Sequence, residues 1–239
     1  MAELILRIRY DSVESLIDLT RTLDTAAKLG FRKCSIFQAD GPRRAMGGQN
    51  TALTQLVTKF LEKHPFELKF NALRLSIGSI GLSSFAQIAG NLGRCPYLTT
   101  LMLAGNALTN PAIAHLASAR LTFLASLDLA DNLLTSRSAL LLSACPWDYL
   151  AHLSVGGNKI GNRGVGFLAK SRWARLKYLY LEEAGLTNDG MKLLVRGNWP
   201  RLQCVDLSSN CLDDQGFKQL AHNNWSKAYQ IIIKNNVFS

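Results

Sequence analysis

Apolar residues recur along most of the chain as LxxLxLxxNxL, in copies beginning at Phe70, Leu98, Leu124, Leu150, Leu176, Leu202 and Ala228. The fourth position of each copy holds Leu73, Leu101, Leu127, Leu153, Leu179, Val205 or Ile231. The sixth holds Leu75, Leu103, Leu129, Val155, Leu181, Leu207 or Ile233. These columns alternate with more polar neighbours, which is the period of two that predicts a short strand with one buried face. The four tryptophans, Trp147, Trp173, Trp199 and Trp225, stand at the same 26-residue step and are expected in the core, because burial dominates the energetics of so large a side chain.

Beyond the eleventh position the period becomes helical. Gly164, Gly190 and Gly216 are followed by Val165, Met191 and Phe217, then by Leu168, Leu194 and Leu220, three residues on and therefore on one helix face. Thr135, Thr187 and Asp213 stand where N-caps are useful. The ninth position carries Asn106, Asn132, Asn158, Asn210 and Asn236. A buried amide can stay there only by bonding the turn backbone, so a stacked ladder is predicted. Gly78 and Ala184 interrupt it, and the copy starting at Leu176 is expected to be irregular.

The first third is less regular. MAELILRI reads as a strand burying Leu4 and Leu6, and FRKCSIFQ as another burying Cys34 and Ile36. Val13, Leu16, Ile17 and Leu23 follow helical spacing, as do Leu53, Leu56, Val57, Phe60 and Leu61. Residues 1–69 are either two degenerate copies that also cap, making nine strands, or a separate cap; the former is favoured, because terminal repeats must present a polar outer end. Residues 70–239 form the regular array. Asp40–Asn50, with Arg43 and Arg44, is the longest loop signal.

The pattern LxxLxLxxNxL, with a helix containing GxxxLA, resembles leucine-rich repeats of the ribonuclease-inhibitor type over residues 70–239. The resemblance implies an α/β fold: a curved leucine-rich-repeat solenoid with parallel strands on the concave face and helices on the convex one. Similar repeats occur in NOD-like receptors and in the Ran GTPase-activating protein.

Composition narrows the function. With 48% apolar and 18% charged residues the chain is globular. No apolar run reaches the length of a membrane span, so no membrane insertion is expected. The start reads as a strand rather than a leader. The five cysteines are scattered and show no zinc spacing, as expected of reduced, buried or semi-buried thiols in an intracellular, cytoplasmic protein, although an organelle stays open. No nucleophile elbow, phosphate-binding loop or HExxH is present, and no cofactor or metal is implied. The glycine-rich stretch Gly156–Gly164 lies inside a repeat turn and lacks the Gly-Lys-Ser/Thr ending.

The surfaces remain. Outward strand and turn positions collect Asp128, Asp131, His152, Tyr178, Tyr180, Glu182, Glu183 and Asp206, with Cys204 also expected to face out. Aromatics among charges on a sheet face have the profile of a protein hot spot. Nine strands at roughly 4.8 Å would make a surface about 40 Å long. The leading expectation is therefore a non-enzymatic interaction scaffold, a subunit of a larger assembly that binds a protein partner on the concave face.

The net charge of +10 has its own column. Arg175, Arg201 and Lys227 precede the strands, with Lys170, Arg172, Lys177 and Arg196 near them. This basic rim, read as lacking aromatic interleaving, makes an RNA-binding ribonucleoprotein subunit the alternative. By resemblance alone a small-GTPase regulator is a third reading, against which stands the lack of that family's acidic tail. The last copy ends without a closing helix, so its edge is expected to contact a neighbouring subunit or to be blunted by Lys234, Asn235 and Asn236.

Overall fold

The computed structural model describes residues 3–8, 22, 25, 33–38, 47–63, 71–222, 225 and 228–237; of residues 3–8, 34–38, 47–54 and 221–222 it describes the backbone alone. Among these, nine parallel strands form one sheet in chain order: β1 (Glu3–Ile8), β2 (Lys33–Gln38), β3 (Ala72–Ser76), β4 (Thr100–Met102), β5 (Ser126–Asp128), β6 (His152–Ser154), β7 (Tyr178–Tyr180), β8 (Cys204–Asp206) and β9 (Gln230–Ile232). Helices alternate with them: α1 (Gly47–Lys63), α2 (Leu82–Leu92), α3 (Asn110–Ser118), α4 (Ser136–Ser143), α5 (Gly161–Leu168), α6 (Asn188–Leu194) and α7 (Asp214–Lys218). This is a leucine-rich-repeat solenoid.

The fourth column is in register from Leu73 through Leu101, Leu127, Leu153, Leu179 and Val205 to Ile231. Leu4 and Cys34 continue it on β1 and β2, and Leu6 and Ile36 continue the sixth column. From Leu73 to Val205 the fourth-column residues are buried, as are all four tryptophans and Val165, Leu168, Met191 and Leu194 of the helices. Each fully buried leucine is worth about 2 kcal/mol over an exposed one. Gly47–Asn50, expected in a loop, opens α1; the remaining loop residues, and Val13, Leu16, Ile17 and Leu23, lie outside the described residues. Val57, Phe60 and Leu61 of α1 are buried as the spacing predicts.

The asparagine ladder is present, and its bonds run between copies. Asn132 Oδ1 accepts from the amides of Asn106 and Leu108 in the copy before it. Its Nδ2 donates to the carbonyls of Leu103, Leu129 and Ala130. Asn210 repeats this with the amides of Ala184 and Leu186 and the carbonyls of Leu181, Leu207 and Ser208. Each asparagine therefore completes the turn of the preceding copy.

That direction corrects the expected place of the irregularity. The Leu176 copy keeps the regular turn, since Asn210 serves it. What lacks an asparagine is the Leu150 copy, whose successor carries Ala184. There the Ile160 amide turns to the Asn158 carbonyl, the Gly161 amide donates to the Ala184 carbonyl at 2.8 Å, and Gly161 takes φ +64°. Elsewhere in this column Thr109, Thr135, Thr187 and Asp213 are extended.

Thr135 and Asp213 cap their helices, accepting from the amides of Arg137 and of Gln215 and Gly216. Thr187 does not cap as expected: its hydroxyl accepts from Asn162 Nδ2, and its amide donates to Asn162 Oδ1. Asn188 likewise accepts from the Asp213 amide and donates to the Asp213 carboxylate. This second ladder accounts for two of the helix glycines, because a Cβ on Gly190 or Gly216 would run into Asn162 or Asn188 of the copy before.

Candidate functional site

In β4 through β7 the central residue is buried and the third is half-buried on the face away from the helices. The strand alternation thus brings His152, Tyr178 and Tyr180 onto one open face. The His152 and Tyr178 rings stack at 4.4 Å and 7°, within the range of favourable aromatic pairs. Tyr229, which is exposed, lies within electrostatic reach of Tyr178, and that proximity raises the Tyr229 phenol. Burial, then the Lys177 charge, lowers the His152 imidazole from its ordinary 6.5, so it stacks as the neutral ring at neutral pH.

Cys204 was expected to face out but is 3% exposed. It lies in electrostatic reach of Tyr180, Asp206 and Tyr229. Burial raises its thiol, and Asp206 adds to that. Burial raises the Tyr180 phenol as well, helped by Cys204, Tyr178, Asp206 and Glu182.

The carboxylates divide by role. Asp128 and Asp206 occupy the same position in two copies, and each accepts from the amide two residues on, Ala130 and Ser208. They stabilise turns as well as charging the face. Asp131 and Glu183 hold the left-handed eighth position, at φ +54° and +51°, with exposed side chains. Gly105, Gly157, Ser209 and Asn235 take that conformation in the Leu98, Leu150, Leu202 and Ala228 copies.

Glu182 is held differently. Its carboxylate lies against Gly156, where a Cβ would collide with it, and Asp131 covers Gly157 in the same way. Glu182 Oε2 is buried and has no hydrogen-bond partner. Burial raises the Glu182 carboxyl, its own amide opposes this, and Asp206, Asp128 and Asp131 raise it further. With two carboxylates over it, the Gly156–Gly157 turn is unsuited to phosphate.

On the rim, Lys170, Arg172, Arg175, Arg196 and Arg201 are exposed, Lys177 is half-buried beside His152, and Lys227 lies outside the described residues. The expectation of no aromatic interleaving took in only part of the column. The column of Arg175 and Arg201 continues toward the N-terminus as Tyr149, Phe123 and Tyr97, all exposed. Arg175 lies over the Tyr149 ring at 4.4 Å, and Phe123 meets Tyr149 at 5.6 Å. The constant 26-residue step was the signal for these rings.

Cys95, Cys145 and Cys204 are free and buried, whereas free Cys211 is exposed, contrary to expectation. Burial pushes Cys95 up to about 11, against an opposing Arg94, and Cys145 up to about 12, which leaves both thiols inert at neutral pH. Among the described residues no cluster of His, Cys, Asp and Glu could hold a metal, and no helix is long and apolar enough to cross a membrane.

No curated protein matches the chain in sequence. Among solved structures, an internalin from Listeria monocytogenes is similar, with 18% identity, a TM-score of 0.36, and coverage of 92% of this chain and 70% of its own. The family model described as Leucine Rich repeat matches residues 149–169 and 201–221. Both matches begin one residue before a repeat-opening leucine, in step with the columns that build the sheet and its core. The chain is a leucine-rich-repeat protein.

Proposed function

We propose that the protein is a non-enzymatic scaffold that binds a protein partner on the open face of β5 to β9. Leucine-rich-repeat arrays in general mediate protein interactions, using the broad surface that stacked strands create. The observation that carries the finer reading is the stacked pair of His152 and Tyr178, with Tyr229 in electrostatic reach and Asp128, Asp131, Glu182, Glu183 and Asp206 on the same stretch of copies. Rings fixed before binding lose little freedom on contact, and flanking carboxylates select a partner patch carrying Lys or Arg. The same reading takes residues 1–69 as lengthened copies that cap the array, supported by the pairing of β1 and β2 in register with β3. It places the protein inside the cell, in keeping with the free thiols.

The test is tagged purification from native cells. A protein that co-purifies with the unaltered chain should be lost with Tyr178→Ala or with Asp128→Asn/Asp206→Asn, and kept with Leu140→Ala, a change to an exposed residue of α4. Retention by a folded Tyr178→Ala chain would overturn the reading.

A further inference from the structure

The rim carries a chemistry that the open face does not. Just ahead of each strand-opening leucine stand Tyr97, Phe123, Tyr149, Arg175 and Arg201, one from each successive copy. The rings are exposed by 56%, 52% and 41%. Parallel pairing of β4 through β8 keeps the five residues in line. Tyr149 is the junction, touching Phe123 on one side and lying under the Arg175 guanidinium on the other. A contiguous run of exposed apolar surface of this kind marks an interaction site.

The charge around the column is one-sided. Residues 93–98, 119–124, 145–150, 171–177 and 197–203 carry Arg94, Arg120, Arg172, Arg175, Lys177 and Arg201 against a single carboxylate, Asp148. Among the described residues no ion pair neutralises Arg120, Arg172 or Arg201. A cleft of about 310 Å³ opens between the C-terminal ends of α2 and α3 and is lined by Arg94, Arg120, His115 and Ser118, with Gly90 and Gly93 and without any acid. Arg94 and Arg120 each stand three residues before a rim aromatic, Tyr97 and Phe123. Helix C-termini favour nearby cations, which accounts for the arginines singly but not for a column of exposed rings beside them.

We infer that this rim binds single-stranded nucleic acid: unpaired bases stack on Tyr97, Phe123, Tyr149 and the Arg175 plane, while phosphates meet the Arg94–Arg120 cleft and Arg172 and Arg201. Flat π faces flanked by guanidinium groups suit unstacked bases, and a single strand offers both these and the phosphates. A duplex hides its base faces, and an acidic peptide has no use for the rings. This surface is separate from the open face, so the inference stands or falls independently of the protein-scaffold reading.

Fluorescence anisotropy of the full chain with a labelled oligouridylate, and in parallel an oligodeoxythymidylate, tests it. Binding of either should weaken steeply with salt. Phe123→Ala and Tyr149→Ala should each weaken binding by at least about fivefold, the lower bound for loss of one stacked base. Arg94→Gln/Arg120→Gln should weaken it and flatten the salt dependence. Tyr178→Ala should leave it unchanged. All the substituted rim residues are exposed, and unchanged thermal melting would certify the fold. The inference is overturned if a duplex of equal length binds as well, if polyglutamate competes as well as the oligonucleotides, if the folded aromatic variants keep full affinity, or if no binding occurs at low salt.

Discussion

The Gly161 amide donates to the Ala184 carbonyl, a backbone bond between consecutive copies at the turn whose successor carries alanine in place of asparagine. The left-handed φ of +64° at Gly161 accompanies it. Gly161→Thr should therefore cost about 1–2 kcal/mol, the strain of a branched residue in that region. Combined with Ala184→Asn, which restores the ninth-position asparagine that accompanies an extended residue at this position in the other copies, the loss should fall short of the sum of the single losses by at least about 1 kcal/mol. Urea unfolding of the four proteins measures the coupling, and strict additivity would refute the pairing.

Asn132→Ala should be among the most damaging single changes. It removes two accepted and three donated bonds, all to backbone. Orphaning that many buried groups costs about 3 kcal/mol or more, read as a drop in urea midpoint. Asn132→Asp should not rescue it, since a carboxylate cannot donate to the three carbonyls.

Cys145→Ser should stabilise. Trp199 Nε1 donates to Ser171 Oγ and Trp225 Nε1 to the Gly197 carbonyl, each in the preceding copy, while Trp173 Nε1 is buried without a partner. One step earlier, the Ser171 column holds Cys145, whose thiol donates to the Leu141 carbonyl and is a weak acceptor. A hydroxyl there can keep that bond and accept from the indole, worth about 1 kcal/mol. A melting temperature unchanged or lowered relative to the parent would count against this pairing.

Glu182 imposes a pH-dependent cost. Its folded carboxyl is raised above the ordinary 4.5, so the unfolded chain loses the proton first as pH rises. The penalty is absent below 4.5, accrues through the window between that value and the folded one, and is complete above the folded one. Glu182→Gln should melt higher than the parent at pH 7, with the difference closing on acidification below 4.5. A difference that persists at low pH would mean that packing rather than charge separates the two.

Much of this was legible because the repeat is strict. Leu101, Leu127 and Leu153 announce strands by alternation, and Asn106, Asn132 and Asn158 announce the ladder by position. The sequence does not say which copy a ladder bond serves, so the gap at Ala184 points to the wrong turn until the backbone is seen. Alternation faces Cys204 outward, yet it is buried, with Tyr180 and Tyr229 of the adjoining copies in electrostatic reach. Gly105, Gly157 and Asn235 hint at a left-handed eighth position, but Asp131 and Glu183 take it without any such hint. On the open face, the pair of tyrosines was readable, whereas the flat stacking of Tyr178 on His152 requires the register of β6 and β7.

The ladder's direction bears on how the chain comes into being. Because Asn132 completes the turn of the Leu98 copy and Asn210 that of the Leu176 copy, a copy leaving the ribosome carries amides that only its successor can satisfy. During synthesis the growing array trails one unfinished repeat, closed by the next asparagine or, for the Leu150 copy, by the Ala184 backbone.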